Sequence, residues 1–371
     1  MRVVIDGIIF QTERHGGVSR LFYGIMPRMG AFDQNARFLL YTDGPPLQRL
    51  PDHPRIIQKK SFPIYAFLKP RRLWALWTPA IRQVLQRMVI GDGQGAIWHS
   101  SFFTLPKGWK GKQVVTVHDM IHEKFPHLFN GRDDDLFRKE KKECVEKADA
   151  VITVSEATRQ DVHKLYGTPL ASIFVVHSAY GETFRALKKE EKKELSLIAK
   201  PFILYVGSRT HYKNFDLLVS AFSVWSKTKD VHLVIVGNEL SEAEEQKLRE
   251  LKIRQTVCVL TQVNDEMLCQ LYNQATALVY PSLYEGFGIP PLEAMSCGCP
   301  VVASRIPSTQ EIALDVPIYF EPTSREGLIQ ALDQVLQNKD MRRIAEGLSR
   351  VKAFSWDKAA QETLKVYAQV A

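Results

Sequence analysis

The 371-residue sequence has no acidic residue between Pro54 and Gly91, and this gap accounts for its charge excess of +8. The stretch holds eight bases: Arg55, Lys59, Lys60, Lys69, Arg71, Arg72, Arg82 and Arg87. Taking these eight from the 49 Lys and Arg leaves 41, which equals the 41 Asp and Glu. A surface coated in positive charge is thereby excluded, and nucleic acid is not an expected partner; one local patch for an acidic partner remains. No apolar run approaches the roughly 18–20 residues of a membrane span. The N-terminal apolar stretch meets Asp6 at once, so no secretory leader is expected there. Cysteine is scarce and odd in number, at five, and Cys297-Gly298-Cys299 has no second pair at zinc-ligand spacing. Reduced thiols and a cytoplasmic protein are the expectation, with no metal site. There is no G-x-x-x-x-G-K-[ST], which excludes a P-loop enzyme, and no G-x-G-x-x-G with an acidic ribose binder, which disfavours a dehydrogenase.

What is present is alternation. Short, buried-looking strands at Arg2–Ile5, Phe38–Thr42, Ala96–Ser100, Gln113–Val117, Ala150–Val154 and Ile173–His177 are separated by helical stretches. After a charged linker, Leu187–Lys200, the pattern restarts at Phe202–Val206, His232–Val236, Val257–Leu260, Ala277–Tyr280, Val301–Ala303 and Ile318–Phe320. Most are β-branched runs too apolar for a half-exposed sheet, so they suit parallel sheets covered on both faces. The expected fold class is α/β, two facing Rossmann-like doubly wound domains over residues 1–185 and 186–353. Residues 354–371 read as a terminal helix, with Ser355 as N-cap and Trp356, Ala360, Leu364 and Tyr367 at helical spacing.

Four segments carry chemistry. In Val279–Ser304 a strand leads into Glu285-Gly286-Phe287-Gly288 and then a helix opened by Pro290 and Pro291. Glycines beside a helix N-terminus suit a phosphate, while Glu285 and Glu293 suit sugar and ribose hydroxyls. In Phe202–Asn214 the strand ends at Gly207 and is followed by Arg209 and Lys213, a fork and a point charge placed to neutralise a diphosphate, or else two solvated bases. Gly16-Gly17 follows the first strand and opens a helix. His118-Asp119 ends a buried strand and reads either as a substrate contact or as a packed His beside a capping Asp. Asp133-Asp134-Asp135 reads as a solvated helix start.

Together these residues resemble glycosyltransferase family 4, retaining enzymes of the GT-B fold. The pattern EGFGIPPLE, Glu285 to Glu293, matches the E-x7-E motif of that family, with Arg209…Lys213, Gly16-Gly17 and His118-Asp119 in the family's order. The resemblance implies a nucleotide-sugar donor held mainly by the second domain, an acceptor held mainly by the first, and a C-terminal helix packing back on the first. It assigns catalysis to His118, Arg209, Lys213 and Glu285. It assigns donor binding to Gly16, Gly17, Ser208, Arg209, Lys213, Val263, Glu285, Gly286, Phe287, Gly288, Ile289 and Glu293. It implies no cofactor and no metal, and front-face transfer with the departing phosphate oxygen taking the acceptor's proton. The form G-S-R-x-x-Y-K-N is similar to bacterial mannosyltransferases that use GDP-mannose in polysaccharide or lipopolysaccharide assembly, with a glycan or lipid-linked glycan acceptor. One departure is His177–Glu182, where many relatives carry an N-G-V-D-type turn.

Other readings stay open: a UDP-sugar-dependent transferase, or an epimerase or phosphorylase on the same scaffold. Residues 54–91 read either as an interfacial helix on an anionic membrane, with peripheral attachment to the inner face, or as a groove for a lipid-diphosphate-linked glycan. The third reading is a helix whose stripe of Trp74, Trp77, Ile81, Leu85 and Met88 packs into the core.

Overall fold

The buried apolar runs become parallel strands, and the helices between them return the chain to the same sheet edge. The computed structural model describes residues 1–12, 17–61, 78–195, 198, 200–337 and 340–371. The chain divides into a first unit, Met1–Ala179 with Ser355–Ala371, and a second, Tyr180–Phe354. The first unit therefore ends at 179 rather than 185, inside the departing turn at His177–Glu182.

Strands of the first unit are β1 (Arg2–Asp6), β2 (Arg37–Asp43), β3 (Ile56–Ser61), β4 (Ile97–Ser100), β5 (Lys112–Val117), β6 (Ala150–Thr153) and β7 (Ile173–Val175). They lie in the order β3-β2-β1-β4-β5-β6-β7, all parallel. Its helices are α1 (Ile9–Thr12), α2 (Gly17–Phe32), α3 (Thr78–Ile90), α4 (Ile121–Lys124), α5 (Arg132–Lys147) and α6 (Glu156–Tyr166). Val115, Val117, Met120, Cys144, Val151 and Val162 form one of its cores.

The second unit holds β8 (Phe202–Val206), β9 (His232–Val236), β10 (Val257–Leu260), β11 (Ala277–Tyr280), β12 (Val301–Ser304) and β13 (Ile318–Phe320). Their order is β10-β9-β8-β11-β12-β13, again parallel. Its helices are α7 (Phe215–Trp225), α8 (Glu242–Glu250), α9 (Asp265–Gln274), α10 (Ile289–Ser296), α11 (Pro307–Ala313), α12 (Arg325–Gln337) and α13 (Met341–Arg350). Each sheet reverses its strand order once, at β1/β4 and at β8/β11. Open α/β sheets bind ligands at the carboxyl ends of such a pair.

Two features depart from the sequence reading. Strand β3, IIQKKS, has four exposed residues between two buried ones and sits at the sheet edge. It had no place among the expected strands because its residues are too polar. On the expected stripe of α3, Leu85 is half-buried but Met88 is 78% exposed, so the stripe does not end in the core. Lys69, Arg71, Arg72, Trp74 and Trp77 lie outside the described residues, as do the side chains of Ile81 and Arg82.

The last helix, α14 (Trp356–Val370), belongs to the first unit and packs on α2. Ser355 Oγ accepts from Lys358 N at 3.1 Å, the expected cap. The Trp356 ring lies flat against the backbone of α2 at Gly24, where an added Cβ would stand 2.8 Å from Cε2. Arg28 Nε donates to Asp357 Oδ1 at 2.6 Å, and the buried Tyr367 hydroxyl lies 2.5 Å from His99 Nδ1. Among the described residues no helix is long and apolar enough to cross a membrane.

Candidate active site

In the second unit the loops leaving β8 and β11 meet. Beyond β8 the chain turns through Gly207 (φ +136°) and a single 3-10 turn, His211–Lys213, to Asn214 in the left-handed region (φ +56°). Asn214 Nδ2 donates to the carbonyls of Pro281, at 3.0 Å, and Pro322, at 2.7 Å, and Leu283 N donates to Tyr212 O at 2.8 Å. The loops after β8, β11 and β13 are thus bolted together by one asparagine.

That bolt brings Lys213 to Glu285. Lys213 Nζ donates to Glu285 Oε1 at 2.7 Å, and Ser282 Oγ donates to the same oxygen at 2.6 Å. The two side chains are 19% and 12% exposed, so the pair is shielded yet reachable. Burial, then the charge of Glu285 and a hydrogen bond to it, push the Tyr280 phenol well above its usual range, so it stays a donor. An ionised carboxylate has about four acceptor positions, and Lys213, Ser282 and Tyr280 take three.

Gly286, Phe287 and Gly288 are buried, and Gly288 (φ +120°) caps the N-terminus of α10. The Phe287 ring packs edge-on against Phe354 at 5.9 Å, so the side chain is engaged within the second unit. Half-buried Ile289 opens α10, with prolines at its start as expected, and Gly298 (φ +69°) follows its C-cap. Glu293 is 2% exposed, and its Oε2 accepts from the Tyr272 hydroxyl at 3.0 Å. Two glutamates with one motif therefore have separate partners.

Arg209 is engaged differently from Lys213. Its Nε donates to Glu244 Oε1 at 2.7 Å and its Nη2 to Glu244 Oε2 at 3.2 Å. Nη1 and Nη2 also donate to the carbonyls of Asn238, at 2.9 Å, and Glu239, at 2.6 Å. The described partners occupy four of its five N–H groups. Against the penalty of burial, the Arg209 and Ser241 bonds hold the Glu244 carboxyl below its usual range. Arg209 is ion-paired with Glu244, and Lys213 with Glu285. Ser208 is exposed, with its carbonyl accepting from Tyr205 OH at 2.5 Å, and Val263 lies half-buried in the β10–α9 loop. Gly237, just past β9, was not singled out by sequence; a Cβ there would stand 2.6 Å from the Gly207 carbonyl, so only glycine admits the loop. The signal was legible as a second buried strand ending in Val-Gly.

In the first unit the carboxyl ends of β1, β4 and β5 gather Asp6, Ser101 and His118. Asp6 is 3% exposed and accepts from Ile8 N (3.0 Å), Ser101 N (3.0 Å), Ser101 Oγ (2.8 Å) and Thr104 Oγ1. Burial raises its carboxyl above the usual range, against the pull of those donors. Asp119 Oδ1 accepts from Ile121 N at 3.0 Å, a local turn bond to the first residue of α4, whose N-cap position is Met120. His118 is partly exposed, but its Nε2 is buried without a partner among the described residues. Burial lowers its imidazole to about 4 against the opposing pull of Asp119, so it is neutral at physiological pH. Gly17 is the exposed first residue of α2; Gly16 lies outside the described residues.

Two doubly wound units, with the Lys–Glu pair at the β8/β11 reversal, define a glycosyltransferase of the GT-B fold. The model of the family "Glycosyl transferases group 1" matches residues 188–347 and that of "Glycosyltransferase Family 4" residues 15–180. The chain belongs to glycosyltransferase family 4. It is 29% identical over 314 residues to the O-antigen chain mannosyltransferase B of Escherichia coli, covering 82% of this chain and 78% of that protein. It is 29% identical to the O-antigen chain mannosyltransferase RfbU of Salmonella typhimurium, over 68% of this chain and 69% of the other. Its fold is similar to sucrose-phosphate synthase from Thermosynechococcus elongatus, with a TM-score of 0.77 and 20% identity, over 100% of this chain and 98% of that one.

Proposed function

We propose that the chain is a retaining, metal-independent hexosyltransferase that moves mannose from GDP-mannose to a glycan or lipid-linked glycan during O-antigen or related cell-surface polysaccharide synthesis. The observation that carries the site assignment is the shielded Lys213–Glu285 pair at the β8/β11 reversal. The naming of both relatives as mannosyltransferases supports the sugar.

In this reading Lys213 faces the donor diphosphate and offsets the charge that grows on it as the glycosidic C–O bond breaks. Glu285 holds Lys213 in place and offers its remaining acceptor capacity to a sugar hydroxyl. Backbone N–H groups of Gly286–Gly288 and of Gly17 serve the sugar and phosphate, Glu293 the ribose, and Arg209 the diphosphate. His118 offers its buried Nε2 to the substrate. The proton of the acceptor hydroxyl passes to the departing phosphate oxygen, which needs no protein base. Removing one such charge-directed group costs about 10²–10³ in rate.

The test pairs binding with turnover. GDP, UDP, ADP and dTDP, each with its sugars, are screened by thermal shift, because a ligand of the folded state raises Tm with its affinity. GDP and GDP-mannose are expected to give the largest shift, and donor is expected to be consumed only with acceptor present. A larger shift with UDP-sugars would sink the GDP-mannose reading. Full turnover by a well-folded Lys213→Ala variant would sink the site.

A further inference from the structure

Lys141, in α5, is a buried base that the proposed reaction does not use. Its side chain is 1% exposed, and lysines are almost never buried so deeply unless paired. Its ammonium donates to Glu123 Oε2 at 2.9 Å and to the Asp119 carbonyl at 3.2 Å, and stands 5.3 Å from the ring centroids of Phe103 and Phe137. Glu123 is itself 8% exposed, and its Oε1 accepts from the Tyr166 hydroxyl at 2.6 Å. Both Lys141 bonds land on one short segment, 119–123, which begins at the residue after His118. On the other side His118 is hydrogen-bonded by the backbone at Ser101, which Asp6 pins through both N and Oγ.

We propose that Lys141 is a positioning residue for His118: its ammonium clamps the chain at both ends of the 119–123 turn and fixes where the imidazole stands, with Nε2 buried and unpaired among the described residues. This rests on the reading that His118 serves the transfer. Packing alone does not call for an ammonium here, because a buried ion pair can often be replaced by apolar groups of the same volume without loss of stability. What an apolar residue cannot supply is a donor to the Asp119 carbonyl and a positive charge that His118 senses. The groups facing His118 are Asp119 on its own loop, Lys141 from α5, His99 from β4 and Phe22 from α2. Burial and Lys141 disfavour the imidazolium, while Asp119 and the Ser101 backbone favour it. A neutral ring with one nitrogen unpaired among the described residues can hydrogen-bond a hydroxyl, and burial, with a smaller push from the Lys141 charge, keeps the ring neutral.

The experiment follows His118 itself. Histidine ring carbons are labelled in the full chain, and the His118 signal is assigned by its loss in His118→Gln. Its titration is then compared among wild type, Lys141→Met and Lys141→Met/Glu123→Gln, the last removing both buried charges together so that folding is retained if the single variant fails. The expected result is an upward move of the titration midpoint in either folded variant, with kcat lowered about 10–100-fold by misplacement and the KM for donor little changed. An upward move supports the proposal even where His118→Gln keeps its turnover, an outcome that would remove His118 from the reaction while leaving Lys141 its placing role. An unmoved midpoint in every folded variant overturns the proposal.

Discussion

Seating α14 on α2 predicts a substitution whose sign reverses with its partner. Gly24 is inside α2, where Ala is the better helix former by about 0.5–1 kcal/mol. In the native chain, however, the new methyl would stand 2.5 Å from Cε3 and 2.8 Å from Cε2 of Trp356. Those atoms belong to a rigid ring that is 8% exposed, so α14 must shift. Overpacking of this kind costs about 1–3 kcal/mol. Gly24→Ala alone is therefore expected to be destabilising, by up to about 2.5 kcal/mol net of the helix gain. Trp356→Ala alone should cost about 3–5 kcal/mol. In the Trp356→Ala background the clash is gone, and Gly24→Ala should stabilise by about 0.5–1 kcal/mol. The helix gain cancels in the cycle, so the coupling between the two sites is the overpacking cost, about 1–3 kcal/mol. Urea unfolding of the four proteins by circular dichroism, compared at a common m-value, measures it. Stabilisation by Gly24→Ala in the native chain, or a coupling near zero, would refute the close seating of the ring.

Three further outcomes follow from named contacts. Gly237→Ala drives a methyl toward the Gly207 carbonyl, and should weaken nucleoside diphosphate binding at least tenfold while costing about 1–3 kcal/mol, read by calorimetry and urea unfolding. Glu244→Gln takes the bidentate acceptor from Arg209 and should tighten nucleoside diphosphate binding several-fold at low salt; weaker binding would instead make Glu244 a support that holds Arg209 in place. Burial lowers His99 to about 3 and His118 to about 4, so the unfolded chain binds more protons below the ordinary histidine value of about 6.5. Their contribution to stability is therefore full above that value and is lost as pH falls toward about 4, by up to about 1.4 kcal/mol per pH unit for each ring. His99→Gln should flatten the urea midpoint profile between pH 6.5 and 4.5; an unchanged slope would refute the neutral burial of His99.

How much was legible in the sequence depended on whether the cause was local. Strands β8, β9, β10, β11 and β13 fall on the expected residues because strands covered on both faces write themselves as apolar runs. Gly288 and the prolines opening α10 were legible because a turn into a helix favours those residue types in that order, whereas Glu285 was singled out by its place in the E-x7-E pattern. The partners were not legible. Nothing near Arg209 in the chain announces Glu244, which arrives from α8 after another strand has been laid down, and nothing near Trp356 announces that a glycine in α2 makes room for it. Asp119 and His118 show the intermediate case. Capping and substrate contact stood as rival readings of one dipeptide; Asp119 bonds the first backbone N–H of α4 from outside its cap, and His118 Nε2 is buried with no partner among the described residues.

The charge gap at Pro54–Gly91 is changed most by the fold. Lys59 and Lys60 lie in β3, the outermost strand, where exposed lysines keep an open sheet edge from pairing with another chain. Arg55 is turned inward, its Nη1 donating to the Gly30 carbonyl of α2 at 3.0 Å. Three of the eight bases thus have structural work of two different kinds, so the whole excess cannot be read as one patch for one acidic partner. An acceptor or membrane role for the segment rests instead on the bases after Ser61, and exchanging Lys59 and Lys60 for Gln should leave acceptor use unchanged while raising the tendency to self-associate, measured by light scattering.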